Sequence, residues 1–442
     1  MCSGLSKLNS TLSQRRLSRY IGLAVFFLSL VTYLGYFSIK FGLNVPPWAI
    51  GDEPSYDSIG WELSQGNGFS ENMNDPAFRI PYEQAEKENP GFPSLPHPQS
   101  GPTTVRPPLF PIIIATTDRL FGRQFWAVRI VNTLAIAGTC GLVTYALFQL
   151  SGIIPALLGA FLFVVIDFHT RLYARAIMSE AIACLFVALM VLALFKFANT
   201  QKKRWVVMTA LALGLTILSR NIFVLWIPGL AIVLFLLQRT NLRAAIASVL
   251  LFVSVTMLIV SPWMIRNCFV LKSFKPMGTQ GITQLSAGYS DIAWRHQGVW
   301  QNLDHDHFFD VVITDDMPTL EKELAKASYS RKKTVDWISQ NRLKAIALAP
   351  LKIFHEFRPY TGSDAVIYFL AVFGLFSMRK RVEGKILSGL LVINMFAVAA
   401  TWSVSGRFLV PLLFVIHLAA AMGMWAIIMW IQQMLHKDRE FA

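Results

Sequence analysis

The stretch Tyr20–Phe37, YIGLAVFFLSLVTYLGYF, carries no charged side chain and decides the fold class. As an α-helix it is roughly 27 Å long at ~1.5 Å per residue, close to the roughly 30 Å hydrocarbon core of a bilayer. Arg15, Arg16 and Arg19 stand immediately before it. A basic start followed by an apolar run resembles a secretory signal, but Lys40–Phe41 offers no small-residue cleavage pattern. A retained membrane anchor is therefore expected.

Working outward, the same kind of block recurs at Ala127–Leu150, Met178–Ala198, Asn221–Leu237, Ala244–Met264 and Phe408–Ile431. Shorter runs lie at Ile153–Phe168, Val206–Leu218, Ala365–Phe376 and Ile386–Trp402. Together they predict an all-α polytopic membrane protein of about ten transmembrane helices. With 54% hydrophobic and 15% charged residues, the 442-residue chain is too apolar for an ordinary soluble domain.

The formal net charge of +14 suggests nucleic-acid binding until the basic residues are located. They cluster in short connections: Lys196/Lys202/Lys203/Arg204, Arg239/Arg243, Arg379/Lys380/Arg381/Lys385 and Lys437/Arg439. Threading the spans in order puts every cluster on one side, with the arginines before the first span. This is the positive-inside pattern. Both termini are then cytoplasmic, segments 41–126 and 265–362 are exterior, and no nucleic-acid partner is expected. The chain divides into a membrane module (1–264) with a long first exterior loop (41–126), an exterior cap (265–362) and C-terminal transmembrane helices (363–442). Cys140, Cys184 and Cys268 fall in or beside spans, and Cys2 is cytoplasmic, so no disulfide framework is expected.

In the first exterior loop, Pro54 suits the first turn of a helix, with Asp52 or Glu53 near its cap. Tyr56, Ile59 and Leu63 follow at helical spacing, and Gly66-Asn67-Gly68 ends the run. This short amphipathic helix is suited to lie on the membrane surface. Asn74–Pro102 is polar and proline-rich and reads as an irregular loop. Leu109–Thr116, after Arg106-Pro107-Pro108, is too short to cross and reads as a second interfacial helix ending near Gly122. In the cap, Gln297–Pro318 reads as loop and Leu320–Leu348 as helix, with Trp337, Ile338 and Leu343 facing inward.

Several polar groups at exterior span ends are candidates for chemistry, each with a structural alternative. Asp52 and Glu53 are suited to take a proton from an acceptor hydroxyl or to orient substrate or a cation; they are equally suited to cap a helix. Arg106 is suited to hold a phosphate bidentately, or to anchor the interface. Arg266, in Ser261-Pro262-Trp263-Met264-Ile265-Arg266-Asn267, is a second phosphate candidate or part of an interfacial belt. Arg220 and Arg407 carry the same ambiguity. In Asp167-Phe168-His169-Thr170-Arg171, with Arg175 and Glu180 following, Glu180 sits at the edge of an apolar run. An ionised group there needs a partner, and Arg171 and Arg175 are nearest in sequence. Asp304-His305-Asp306-His307 has the composition of a metal site, but alternating ligands in an exposed loop are weak support.

The order of these motifs is more specific than any one of them. The first span is followed by Gly51-Asp52-Glu53-x-x-Tyr56, Gly66-x-Gly68, Arg106-Pro107-Pro108-Leu109-Phe110-Pro111 and Arg129-Ile130-Val131-Asn132. Ser179-Glu180, Ser261-Pro262-Trp263-x-x-Arg266-Asn267 and Gly406-Arg407-Phe408-x-x-Pro411 continue the series. The whole resembles the GT-C membrane glycosyltransferases, nearest to the protein mannosyltransferase-like and aminoarabinose-transferase-like branch.

That resemblance implies a polyprenyl- or dolichyl-phosphate sugar donor and inversion at the anomeric carbon. It aligns Asp52 with the catalytic carboxylate of the first loop, Glu53 beside it, and Arg106 with the residue that binds donor phosphate. Tyr56, Asp167, Glu180 and Arg407 would support them. The aminoarabinose branch has an acidic residue where this chain has Val105, so no metal or other cofactor is clearly encoded and a divalent cation stays open. The oligosaccharyltransferase motif Trp-Trp-Asp-Tyr-Gly is absent, which disfavours transfer of a preassembled oligosaccharide. The expected partners are a polyprenyl-phosphate sugar, a hydroxyl acceptor and the bilayer, at a bacterial plasma membrane with the active site outside. A transporter or flippase would share the spans and arginines but would place ionisable groups near the membrane midplane; here they lie at exterior ends. A noncatalytic scaffold would not need the ordered motifs.

Overall fold

Each apolar stretch folds as helix, but the helices differ in length, and this alters the span count. The computed structural model describes residues 2–47, 51–88, 100–314 and 316–440. The helices are α1 (Cys2–Lys40), α2 (Glu53–Gln65), α3 (Pro76–Glu88), α4 (Leu109–Phe121), α5 (Phe125–Ser151), α6 (Ile153–Phe161) and α7 (Phe168–Arg175). They continue with α8 (Glu180–Thr200), α9 (Lys203–Ser219), α10 (Trp226–Leu237) and α11 (Leu242–Leu271). Three short helices follow: α12 (Gln280–Thr283), α13 (Leu285–Gly288) and α14 (Asp291–Arg295). The series ends with α15 (Thr319–Gln340), α16 (Arg342–Phe357), α17 (Gly362–Ser377), α18 (Val382–Ala400) and α19 (Leu413–Glu440).

Among the described residues, 6 helices are individually long and apolar enough to cross a membrane: α1, α5, α8, α11, α18 and the run Arg407–Leu435 that α19 continues. Two more crossings are possible as bent pairs, Ile153–Ile166 with α7 at 59° and α16 with α17 at 109°. The count is thus 6 to 8, against the ten read from sequence. Asn221–Leu237 is apolar but short, and α9 has 17 residues with Lys203 and Arg204 in its first turn. Length and composition alone therefore do not confirm ten spans.

The outer face of the bundle is apolar. Val31, Leu258, Phe369 and Phe396 are all about two-thirds exposed or more. A water-soluble protein rarely shows such a surface, whereas lipid is its natural solvent. Inside, small residues permit close helix approach. A Cβ at Gly374 or Gly423 would run into the facing backbone carbonyl of Ala419 or Leu370, so only glycine lets α17 and α19 meet there. The hydroxyls of Ser29, Thr139, Thr144 and Thr216 donate to carbonyls one turn earlier, so no buried donor is left open at these positions.

Between α1 and α5 the chain builds the platform for the site. α2 and α4 lie against each other, with Gly60 where a side chain would strike Ile114. Gly66, at φ +86°, ends α2 in the left-handed conformation that glycine adopts freely, and α4 ends at Gly122. Asn74–Pro102 is more ordered than its proline content suggested. Asp75 accepts from the Ala77 amide (2.9 Å) and starts α3. Phe78 and Tyr82, one turn apart, are buried with Met73, and Arg79 pairs with Glu83 at 2.9 Å. The remainder of that loop, 89–99, lies outside the described residues. Strands β1 (Ser70–Asn72) and β2 (Ser100–Pro102) pair antiparallel with Glu71 opposite Gly101.

Segment 265–362 has a small apolar cluster of its own around Ala287, Leu303 and Phe309. Trp337 is buried and donates to Asp291 (2.9 Å), Ile338 is half-buried, but Leu343 is 84% exposed. The chain breaks helix at Asn341, so Leu343 belongs to α16 and does not share the phase of α15. Glu323 of α15 ties this segment to the first loop. Its carboxylate accepts from the hydroxyls of Thr103 (2.6 Å), Thr104 (2.6 Å) and Thr279 (2.8 Å).

Candidate active site

Asp52 occupies the N-cap position of α2, yet its side chain makes no capping hydrogen bond. Only its backbone carbonyl serves the helix, accepting from Tyr56 N at 3.1 Å. The carboxylate instead lies between two arginines. Oδ1 is 2.6 Å from Arg106 Nη1, and Oδ2 is 2.6 Å from Arg407 Nη2. The helix-capping alternative therefore does not describe this side chain.

Each guanidinium has a second hold. Arg106 Nε donates to Ser55 Oγ at 3.0 Å, and Ser55 donates in turn to Glu71. The Arg106 guanidinium lies 5.2 Å from the centre of the Tyr56 ring, and the Tyr56 hydroxyl meets Ser179 Oγ at 3.3 Å. Arg407 Nε donates to Glu180 Oε1 at 2.5 Å, and Arg220 Nη1 reaches the same oxygen at 2.5 Å. The result is an alternating row: Arg106, Asp52, Arg407, Glu180, Arg220. Three cations and two anions leave it one positive charge in excess, a suitable place for a further anion.

Exposure grades along the row. Glu180 is fully buried, Arg106 and Arg220 are 9% exposed, Arg407 is 19% and Asp52 is 24% exposed. Asp52 and Arg407 are thus the members most open to a ligand. Burial pushes the Asp52 pKa up, but the charges of Arg106 and Arg407 outweigh it and hold the carboxyl well below the usual carboxylate range.

The turn carrying Arg407 is fixed from α16. Glu356 Oε2 accepts from Ser403 Oγ (2.9 Å) and Val404 N (2.8 Å), and Oε1 from Phe408 N (2.6 Å) and Leu409 N (3.2 Å). Gly406, at φ +90°, permits the reversal between these two sets. Nothing in sequence marks Glu356 for this duty, since its partners are backbone amides about fifty residues away.

The other sequence candidates are placed differently. Glu53 Oε1 accepts from Ile177 N at 2.6 Å, away from Asp52's partners. Arg266 does not join the row: it donates to the carbonyls of Thr103 (2.7 Å) and Phe69 (3.1 Å) and lies against Trp263. Asp167 caps α7 through the amide and hydroxyl of Thr170. Glu180 pairs with Arg220 and Arg407, not with Arg171 or Arg175, whose guanidiniums lie over Tyr36 and Phe41. The residues nearest in sequence are on the short α7, which turns away before α8 begins. Asp304 pairs with Lys326 (2.6 Å) and His307 with Asp310 (2.7 Å). Among the described residues no three His, Cys, Asp or Glu side chains are grouped to hold a metal ion.

Residues 105–265 match the family model described as dolichyl-phosphate-mannose-protein mannosyltransferase. No curated protein matches the sequence significantly. Among solved structures, the archaeal oligosaccharyltransferase AglB from Archaeoglobus fulgidus, in complex with an inhibitory peptide and a dolichol-phosphate, aligns over 96% of this chain and 51% of its own. Its TM-score is 0.55 at 12% identity. The apo form of that enzyme aligns over 96% and 52%, with TM-score 0.53 and 10% identity. ArnT from Cupriavidus metallidurans bound to undecaprenyl phosphate aligns over 92% and 77%, with TM-score 0.41 and 13% identity. The chain spans about half the length of the archaeal enzyme. The protein is a multi-pass membrane protein with the GT-C glycosyltransferase fold, and over residues 105–265 it matches the protein mannosyltransferase family.

Proposed function

We propose that the protein is an inverting glycosyltransferase that moves a sugar from a polyprenyl-phosphate donor to an acceptor hydroxyl at the exterior face of a bacterial plasma membrane. The observation that carries this reading is the placement of Asp52 between Arg106 and Arg407, one carboxylate oxygen to each guanidinium. Glycosyl transfer from a lipid phosphate needs a proton acceptor and fixed positive charge in one place, and this arrangement supplies both.

In the proposed step the acceptor oxygen forms a bond to the anomeric carbon from the face opposite the phosphate. The carbon–phosphate oxygen bond breaks, and its electron pair stays on the departing polyprenyl phosphate. The acceptor proton goes to Asp52. Charge develops on the phosphate as it leaves, and Arg106 and Arg407 are positioned in advance to stabilise it. The sugar carbon passes through an oxocarbenium-like state, as in other glycosyl transfers.

The archaeal enzyme that shares the fold was solved with a dolichol-phosphate, which agrees with a donor of this class. Helix ends support the exterior placement. Asn199 at the far end of α8 meets Glu383 (3.3 Å), and Arg381 reaches Leu150 at the far end of α5 (3.4 Å). These basic connections gather at one end of the bundle, and the Asp52 row lies at the other. With basic connections cytoplasmic, both termini are inside and the site faces out. The decisive experiment is a donor screen with purified protein, comparing polyprenyl-phosphate sugars with nucleotide sugars. Transfer only from nucleotide sugars, or substrate movement without transfer, would overturn the reading.

A further inference from the structure

The two arginines that meet at Asp52 are held in the same way. Arg106 is fixed through Nε by Ser55 (3.0 Å) and Arg407 through Nε by Glu180 (2.5 Å). The terminal amino groups alone reach the carboxylate, Nη1 of Arg106 on Oδ1 and Nη2 of Arg407 on Oδ2. Each guanidinium thus has a hold besides Asp52. Both oxygens of Asp52 are occupied by cations, an arrangement that opposes proton transfer from an acceptor hydroxyl. Each oxygen keeps a further lone pair, so what withdrawing the cations adds is basicity at an oxygen already in place.

We propose that Ser55 and Glu180 are positioning residues that keep Arg106 and Arg407 in place while their terminal amino groups pass from Asp52 to the donor phosphate, so that donor binding frees the base. The inference rests on the glycosyltransferase reading and adds to it an order of events, donor before acceptor.

Charge balance supports the exchange. A polyprenyl-phosphate sugar carries one negative charge, and the departing polyprenyl phosphate carries a second as the bond to the sugar breaks. Asp52 loses its charge at the same moment by taking the acceptor proton. The total is conserved, and the negative charge moves from carboxylate to phosphate. Arginines pivoting on anchored Nε atoms follow it without rebuilding their surroundings, which is how preorganised charge acts most effectively. Planar guanidiniums with several donors suit a phosphate better than lysine would. The alternating row also keeps Glu180, and through it Arg220, in place during the exchange.

The test measures binding separately from transfer. Full-length protein in nanodiscs is titrated with radiolabelled undecaprenyl phosphate, comparing wild type, Asp52→Asn and Ser55→Ala. If Asp52 competes with phosphate for the arginines, Asp52→Asn binds about fivefold more tightly than wild type, the scale expected for releasing a partly exposed ion pair. Ser55→Ala loosens Arg106 and binds about threefold more weakly while staying folded, at a somewhat lower melting temperature because Arg106 and Glu71 lose their shared hydroxyl. A merely structural role for Asp52 predicts the opposite sign, because losing it would let the arginines wander. Equal or weaker binding by Asp52→Asn overturns the proposal. Should that variant fail to fold, unchanged binding by Ser55→Ala overturns it independently. Absence of binding by folded wild type rejects the polyprenyl-phosphate reading itself, and the exchange with it.

Discussion

Asp52, before the first helix of the loop between α1 and α5, and Arg407, at the start of the last membrane helix, form an ion pair at 2.6 Å. Early and late segments of the chain thus meet in one charge cluster, so the candidate site cannot form in the loop between α1 and α5 by itself. A consequence is that substitutions at Arg407 should affect transfer as strongly as those at Asp52, although the two lie in different segments of the chain.

Removal of the proposed base is the first expectation. Asp52→Asn should lower single-turnover transfer by about 10²–10⁴-fold, the usual worth of general-base assistance, although it binds donor more tightly. Glu53→Gln should cost about tenfold or less, since Glu53 holds the Ile177 amide and not the reacting groups. Wild-type transfer by Asp52→Asn together with an inactive Glu53→Gln would reverse the assignment.

Arg106→Ala should weaken donor use more than Arg106→Lys, because lysine keeps charge while losing the fork geometry. Arg266→Ala should behave differently. Its guanidinium holds the Phe69 and Thr103 carbonyls, so the expected loss is in thermal stability, by about 1 kcal/mol or more for hydrogen bonds from a charged donor. Equal donor dependence of Arg106→Ala and wild type would reduce Arg106 to an interfacial anchor.

Sequence reading reached the ends of this cluster but not its wiring. Asp52, Arg106 and Arg407 were each visible, because each stands in a motif at a span end. Their pairing was not, since it depends on how α2, α4 and the Arg407 turn converge in space. Glu180 was visible because a carboxylate in an apolar run demands a partner; the partners chosen by proximity in sequence, Arg171 and Arg175, were wrong because α7 carries them elsewhere. Glu71, Glu323 and Glu356 gave no signal, their partners being hydroxyls and backbone amides that any sequence supplies, and Ser55 gave none because a lone serine does not announce the Arg106 it holds. Hydropathy found the helices, while length and composition confirm 6 to 8 of the ten spans, because the remaining apolar helices are short.

The sidedness has a direct check. Single cysteines placed at 300–340 and at 379–385 should label from opposite faces with an impermeant reagent, the second group only after permeabilisation. Labelling of both groups from one face would contradict the assignment of the site to the exterior.

The Asp-His-Asp-His loop should be dispensable. His305→Ala combined with His307→Ala should retain most activity, because Asp304 and His307 are directed to Lys326 and Asp310 and do not converge. Loss of activity restored by added divalent metal would show a ligand cluster after all.

Asp118 gives a pH-dependent expectation away from the reacting groups. It is buried on α4, and its Oδ2 has no hydrogen-bond partner. Burial pushes its pKa from the ordinary 3.8 up to about 7, the charge of Asp57 adds to this, and Arg123, which pairs with Asp57 at 2.6 Å, opposes it. An acid whose pKa is higher in the folded state binds its proton more readily there. Its contribution to stability is therefore fullest below the ordinary value and is lost as pH rises through the interval up to about 7, levelling off beyond it. Asp118→Asn imitates the protonated carboxyl at every pH. The gain in melting temperature of Asp118→Asn over wild type should be small near pH 4, grow between pH 5 and pH 7, and stay constant above that. A difference that does not change with pH would mean that Asp118 is ionised throughout, with its charge balanced by Arg123 across the buried gap.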